Sequence, residues 1–129
     1  MPKEKKTILI IEDEDLILKA LTEGFLRRGF NIIKALDGDA GIEMIDKKRP
    51  DLVLLDLILP KVSGQEVLLD MKKKGLIEKI PVVVLTNVSD GATLKECMSL
   101  GAKEYIVKAN FSFDDMEETI NRVLGITKN

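Results

Sequence analysis

Four acidic residues, Glu12, Asp13, Glu14 and Asp15, stand directly behind the apolar run Ile8-Leu9-Ile10-Ile11. Asp56 follows a second such run, Leu52-Val53-Leu54-Leu55; Thr86 and Asn87 follow a third, and Lys108 follows Tyr105-Ile106-Val107. Carboxylates such as Glu12, Asp13 and Asp56 repel one another when gathered in one pocket, so their convergence calls for a cation. A hard, oxygen-lined site with few protein ligands suits Mg²⁺, which keeps several waters and binds through one or two carboxylates plus a phosphate. Lys108 would add a point charge and Thr86 a hydroxyl donor for a phosphoryl oxygen. An aspartate in such a site can act as a nucleophile and form an acyl phosphate. Each residue also has a plainer reading. Glu12 to Asp15 suit the acidic first turn of a helix, Asp56 a turn before Pro60, and Lys108 an ordinary surface.

The elements that must position these residues are legible as alternating short β-branched runs and longer helical stretches. The runs are Thr7–Ile11, Asn31–Ala35, Leu52–Leu55, Pro81–Leu85 and Glu104–Val107. The first, third and fourth are almost continuously apolar, as strands covered on both faces are, while the second and fifth are more polar and read as peripheral. Five strands with helices between them predict an α/β fold, a (βα)₅ doubly wound five-stranded parallel sheet in a three-layer sandwich. In such a sheet ligands bind outside the carboxyl ends of the strands, where the polar residues named above fall.

The helices carry their own signals. The first is expected from about Glu14 to Arg28, burying Ile17, Ala20, Leu21 and Phe25 and leaving Leu18 exposed; Gly29 ends it. Asp37 caps the second, Pro50 stops it, and the fourth runs from about Asp90 to Leu100. Ser63-Gly64-Gln65-Glu66 and Ser112-Phe113-Asp114-Asp115 have the spacing of capping boxes for the third and fifth.

Composition sets bounds on function. The 129 residues, 45% hydrophobic and 33% charged, suit one globular domain over 1–129 with its core in 6–124. Twenty basic against 22 acidic residues give a formal charge of −2, which argues against direct nucleic-acid binding. One cysteine, Cys97, and no histidine exclude a disulfide framework, Cys/His zinc sites and histidine acid–base chemistry. No apolar run is long enough for a membrane span, so a cytoplasmic protein is expected. Neither a G-x-G-x-x-G nor a P-loop pattern occurs.

Taken together, Ile8–Glu14, Asp51–Pro60 with Gly64, Val83–Thr86 and Gly101–Lys108 resemble the receiver domain of two-component response regulators, over essentially residues 6 to 124. The resemblance extends to the single-domain chemotaxis type and implies a flavodoxin-like fold. It implies that Asp56 accepts a phosphoryl group from a sensor histidine kinase, a phosphotransfer protein or a small phosphodonor. It also implies that Asp13, Asp56 and the Ile58 carbonyl hold Mg²⁺, that Glu12 contacts the metal directly or through water, and that Lys108 and Thr86 bind the phosphoryl oxygens. Tyr105 matches the aromatic that turns inward as the threonine moves. The signal would pass from the face of the fourth helix, fifth strand and fifth helix to a separate output protein or a phosphorylation-dependent homodimer. Such a chain is a phosphoacceptor switch with at most self-phosphorylation and autodephosphorylation.

Three features depart from the family pattern, and two other readings compete with it. Ala109-Asn110 stand where the family has a proline after the lysine, Asn87 where a small residue is common, and Ser63 where an aspartate is. Apolar Ile58 and Val88 flank the path of a hydrolytic water and point to slow loss of the phosphoryl group. Asp13-Glu14-Asp15 also has the Asp-x-Asp spacing of haloacid-dehalogenase phosphohydrolases, in which Asp13 would be the nucleophile; a partner-binding pseudo-receiver is the third reading. Leu18, if exposed, offers a kinase contact. Only Gly125–Asn129 follow the last helix, which suggests a stand-alone receiver.

Overall fold

A strand that is apolar at every position has no solvent face, and the sheet it joins must be covered on both sides. The computed structural model, which describes residues 5–87, 90–110 and 112–126, resolves this requirement as a five-stranded sheet between two layers of helices. Its elements are β1 (Thr7–Ile11), α1 (Asp15–Arg27), β2 (Asn31–Ala35), α2 (Gly38–Lys48), β3 (Leu52–Asp56), α3 (Gly64–Lys73), β4 (Val82–Thr86), α4 (Gly91–Ser99), β5 (Glu104–Val107) and α5 (Phe113–Leu124). A single 3₁₀ turn, Lys108–Asn110, joins β5 to the approach to α5. Strand order is β2-β1-β3-β4-β5 with every pairing parallel. The polar strands β2 and β5 are the edges, as their sequences require, and β3 and β4 each run one residue further than expected, taking in Asp56 and Thr86.

Alternation along the strands feeds two cores. Leu9, Ile11, Val53, Leu55, Val82 and Val84 pack with Ile45 of α2, Val67, Leu68 and Met71 of α3 and Cys97 of α4. On the other face Ile8, Ile10, Leu52, Leu54, Val83 and Leu85 pack with Leu18, Leu21 and Phe25 of α1 and Met116 and Ile120 of α5. Each fully buried side chain of this size contributes about 1.5–3 kcal/mol relative to exposure. Cys97 is accordingly a packing residue.

The helix starts follow the capping signals. Asp37 accepts from the Ala40 amide at 2.8 Å, Ser63 from Glu66 at 3.2 Å and Ser112 from Asp115 at 3.1 Å. The expected apolar stripe of α1 needs correction: Leu18 is buried at 6% exposure and Ala20 is exposed. The helix turns Leu18, Leu21 and Phe25 toward the sheet: Leu21 and Phe25 are buried as expected, Ile17 packs partly buried against the same core, and Leu18 is buried where Ala20 was expected. The exposed leucine at this end is Leu16, at 85%. A docking role for Leu18 falls with this.

Gly64 begins α3 close under the end of β3. A Cβ there would stand 2.6 Å from Leu57 Cα and 2.7 Å from the Asp56 carbonyl oxygen, both backbone atoms with little room to move. Gly64→Ala is expected to lower stability by about 1–3 kcal/mol, the usual cost of overpacking, as read from the urea midpoint at unchanged slope.

Candidate functional site

The residues classed as buried and polar among those described are Glu12, Asp56, Thr86 and Asn121. The first three directly follow or terminate β1, β3 and β4, the three central strands, so the polar groups collect on the carboxyl edge of the sheet. The chain cannot turn back before that edge because each of these strands is apolar throughout its covered length. Glu12 continues β1 with its amide donating to the Ala35 carbonyl at 3.0 Å. Asp56 is the last residue of β3, and Thr86, fully buried, the last of β4.

One oxygen from each of Glu12, Asp13 and Asp56 lies within 4.8 Å of the others. Asp13 is exposed, whereas Glu12 is fully buried and Asp56 nearly so. Lys108, the first residue of the turn after β5, brings its ammonium 2.6 Å from Glu12 Oε1, 3.2 Å from Asp56 Oδ2 and 3.5 Å from Glu14 Oε1. The contact with Glu12 is a charge pairing without hydrogen-bond alignment, for Oε1 has no hydrogen-bond partner although no solvent reaches it. Its other oxygen accepts from the Glu14 amide at 3.2 Å, and Asp56 Oδ1 accepts from the Ile58 amide at 3.3 Å. Asp13, Glu14, Asp56, Ile58, Asn87 and Lys108 line a cavity of about 130 Å³. The bond between Lys108 and Ala109 is trans.

Burial drives Glu12 toward its neutral form; Lys108 opposes this and Asp56 adds to it, leaving the pKa raised to about 7. Burial also works against the Lys108 ammonium, but Glu12 and Asp56 outweigh it and hold the lysine above its ordinary value. Three carboxylates converging with a single ammonium beside them are the donor set a hard divalent cation satisfies.

The expected residues are thus brought together unevenly. Glu12, Asp13, Asp56 and Lys108 converge, and Ile58 lies at the cavity wall with its side chain 66% exposed. Thr86 ends the strand beside Asp56, and Tyr105 is 46% exposed on β5. Tyr105 pairs in register with Val84, and Thr86 lies two residues further along β4, so both occupy one face of the sheet. Val88 lies outside the described residues. Two features escaped the sequence reading. Glu14 reaches Lys108 from the cap position of α1, and Leu16, Ile17, Ala20, Leu21, Asn87, Lys108 and Ala109 line a mainly apolar groove of about 370 Å³ beside the acidic cavity. The exposed Leu16 is the signal for the groove, visible only once the helix phase is known.

The family model of the response regulator receiver domain matches residues 8–121. The chain belongs to this family. The "probable transcriptional regulator ycf27" of Porphyridium aerugineum is 35% identical over 121 residues, 94% of this chain and 49% of that protein. The receiver thus spans about half the length of the first curated relatives it matches. Sporulation initiation phosphotransferase F of Bacillus subtilis is 32% identical over 122 residues, 95% of this chain and 96% of that one. In fold, the receiver is similar to the receiver domain of a sensor histidine kinase from Pseudomonas aeruginosa PAO1, solved with a magnesium ion coordinated in its active-site cleft. That match has a TM-score of 0.86 at 20% identity, covering 95% of this chain and 99% of that one. Receivers of this family serve phosphorylation-dependent signalling and bind Mg²⁺ at an acidic site, and this receiver has the acidic cluster. No helix among the described residues is long and apolar enough to cross a membrane.

The raised Glu12 pKa has a definite consequence for metal-free protein. Between pH 4.5, the ordinary glutamate value, and about pH 7 the folded state holds a proton that the unfolded chain has lost. The contribution of Glu12 to stability is full below that window and gone above it. Glu12→Gln, which cannot ionise, is expected to gain on wild type by on the order of 2 kcal/mol as pH rises from 5 to 8 in EDTA. Urea unfolding at the two pH values measures the difference, and a constant gap would contradict it.

Proposed function

We propose that this chain is a phosphorylation-controlled signalling receiver in which Asp56 is the phosphoacceptor. The observation that carries the reading is the meeting of Asp13, Asp56 and Lys108 around one cavity at the carboxyl edge of the sheet, with the buried Glu12 in contact with Lys108 beside it. An Asp56 carboxylate oxygen attacks phosphorus, an O–P bond forms, and the bond from phosphorus to the donor breaks. The donor, a phosphohistidine imidazole or the carboxylate of acetyl phosphate, leaves with the bonding electron pair. Lys108, already 3.2 Å from Asp56, balances charge on the phosphoryl oxygens, and Thr86 donates its hydroxyl to one of them. Glu12, Asp13, Asp56 and the Ile58 carbonyl would hold Mg²⁺. When bound, the ion neutralises carboxylate and phosphoryl charge in the cavity.

The apolar groove beside Leu16 and Ala109 is where a histidine kinase or phosphotransfer protein docks to present its phosphohistidine. Phosphorylation then favours the arrangement in which Thr86 approaches the phosphoryl group and Tyr105 turns inward behind it. The altered surface of α4, β5 and α5 engages an output protein or a second copy. In this reading residues 1–129 form one receiver domain with its core in 6–124, cytoplasmic and without turnover beyond self-phosphorylation and autodephosphorylation. Apolar Ile58 at the cavity wall offers no group to orient a hydrolytic water, so slow loss of the phosphoryl group belongs to this reading.

Two experiments test the proposal. Intact mass after incubation with acetyl phosphate is expected to show a single phosphoryl adduct that requires Mg²⁺ and is lost in Asp56→Asn. Turnover abolished by Asp13→Asn but kept by Asp56→Asn would instead support a phosphohydrolase. Tyr105 is the only tyrosine and there is no tryptophan, so intrinsic fluorescence reports that residue alone. Acrylamide quenching is expected to fall by about half or more on phosphorylation, as a half-exposed ring becomes buried; unchanged quenching would remove the Tyr105 switch.

A further inference from the structure

We propose that Gly24, Phe113 and Arg28 form a clasp between α1 and α5 that positions Lys108 for the chemistry at Asp56. Gly24 sits inside α1, where glycine weakens a helix, and no left-handed backbone requires it there. Its use is steric. A Cβ at this position would run into the Cε1–Cζ edge of the Phe113 ring, so the glycine is a notch in α1 that the first residue of α5 fills. The ring also meets Phe25 edge to face, with centroids 5.6 Å apart, and lies 5.1 Å beneath the Arg28 guanidinium. Arg28 in turn pairs with Asp114 at 3.0 Å and Glu117 at 3.1 Å, both in the first turns of α5. Steric fit, ring contact, cation–π contact and ion pairs all tie one short piece of α5 to one short piece of α1.

The position of this clasp in the chain gives it a role beyond packing. Strand pairing of β5 ends at Val107 opposite Thr86, and Lys108 comes next. Phe113 is five residues further on. Lys108 is therefore held between a paired strand end and a seated ring, with Ala109 supplying no ring restraint of its own. The strand on its amino side is a four-residue edge with no residue fully buried, and the clasp is the second anchor, on the carboxyl side of the lysine. The lysine must nevertheless place its ammonium within 2.6 Å of Glu12 and 3.2 Å of Asp56. Gly24, Phe113 and Arg28 touch none of the reacting atoms and are positioning residues. This role rests on the reading of Asp56 as acceptor.

The test is a double-mutant cycle with Lys108. Gly24→Ala and Phe113→Leu are each made in the native chain and in Lys108→Ala, and the rate of Mg²⁺-dependent adduct formation from acetyl phosphate is measured by intact mass. In the native background each clasp variant is expected to slow the rate about tenfold, as displacement of a charge-stabilising group does; in Lys108→Ala it should add nothing. NMR relaxation of the Lys108 and Ala109 amides is expected to show lost order in both clasp variants. Equal slowing in both backgrounds, or unchanged rate and order, would overturn the clasp. Phe113→Leu keeps an apolar plug in the core and decides the matter should Gly24→Ala not fold. Absence of any adduct in wild type would overturn the reading of Asp56 instead, and the amide order at Lys108 would still decide the clasp.

Discussion

Two carboxylates buried at the edge of an apolar sheet, with one lysine between them, are the constraint from which the rest of this receiver follows. Glu12, Asp13 and Asp56 carry three negative charges when ionised, and Lys108 returns one. At an effective dielectric of about 20 a pair of charges 2.6 Å apart interacts by about 6 kcal/mol, and one 4.8 Å apart by about 3.5 kcal/mol. A single ammonium therefore offsets much of the repulsion among the carboxylates but cannot by itself also balance a phosphoryl group, which adds charge of the same sign. The protonation of Glu12 is the response available to the metal-free protein, and a divalent cation is the response available when one is present.

The sheet order makes this crowding unavoidable. Because β1 and β4 flank β3, the residues that follow or end them fall side by side, and all three strands are too apolar to place a charge earlier. The edge strands contribute differently. β2 supplies the carbonyl of Ala35 that holds the Glu12 amide, and β5 supplies the lysine. Gly38 allows α2 to lie against the Val62 backbone, and Gly64 allows α3 to close under Asp56, where the Asp56 carbonyl and the Leu57 backbone leave no room for a side chain. Precision at the site thus comes from close backbone approach on the β3 side, where nothing long or flexible intervenes.

What could be read from the sequence follows the same division. Strand identity, the edge positions of β2 and β5, and the Asp37, Ser63 and Ser112 caps were legible because each depends on a few neighbouring residues. The convergence of Glu12, Asp13, Asp56 and Lys108 was legible too, since parallel topology converts sequence position after a strand into spatial position. The rotation of α1 was not. Ile17, Leu18, Ala20 and Leu21 permit overlapping apolar stripes that share Leu21 and Phe25, and packing against the sheet buries Leu18 where Ala20 was expected. Exposed Leu16, the groove beside it and the reach of Glu14 to Lys108 all hang on that rotation. The notch at Gly24 was equally silent, because its partner Phe113 lies at the other end of the chain.

α1 emerges from this as the element that joins functions kept apart in sequence. Its cap region carries Glu14, its first turns carry the apolar wall of the groove, and its last turns carry Gly24, Phe25 and Arg28. A partner that presses on Leu16 and Ala109 therefore pushes on the same helix that seats Phe113, and the turn bearing Lys108 lies between the two contacts. Such a push can favour one placement of the ammonium only if the partner binds that placement more tightly. A helix held by packed rings and two ion pairs transmits the displacement as a rigid body, whereas a loosely held one would absorb it. If the groove receives the phosphodonor as proposed, docking and placement of the lysine are two readings of one helix position, and each would strengthen the other by the same factor.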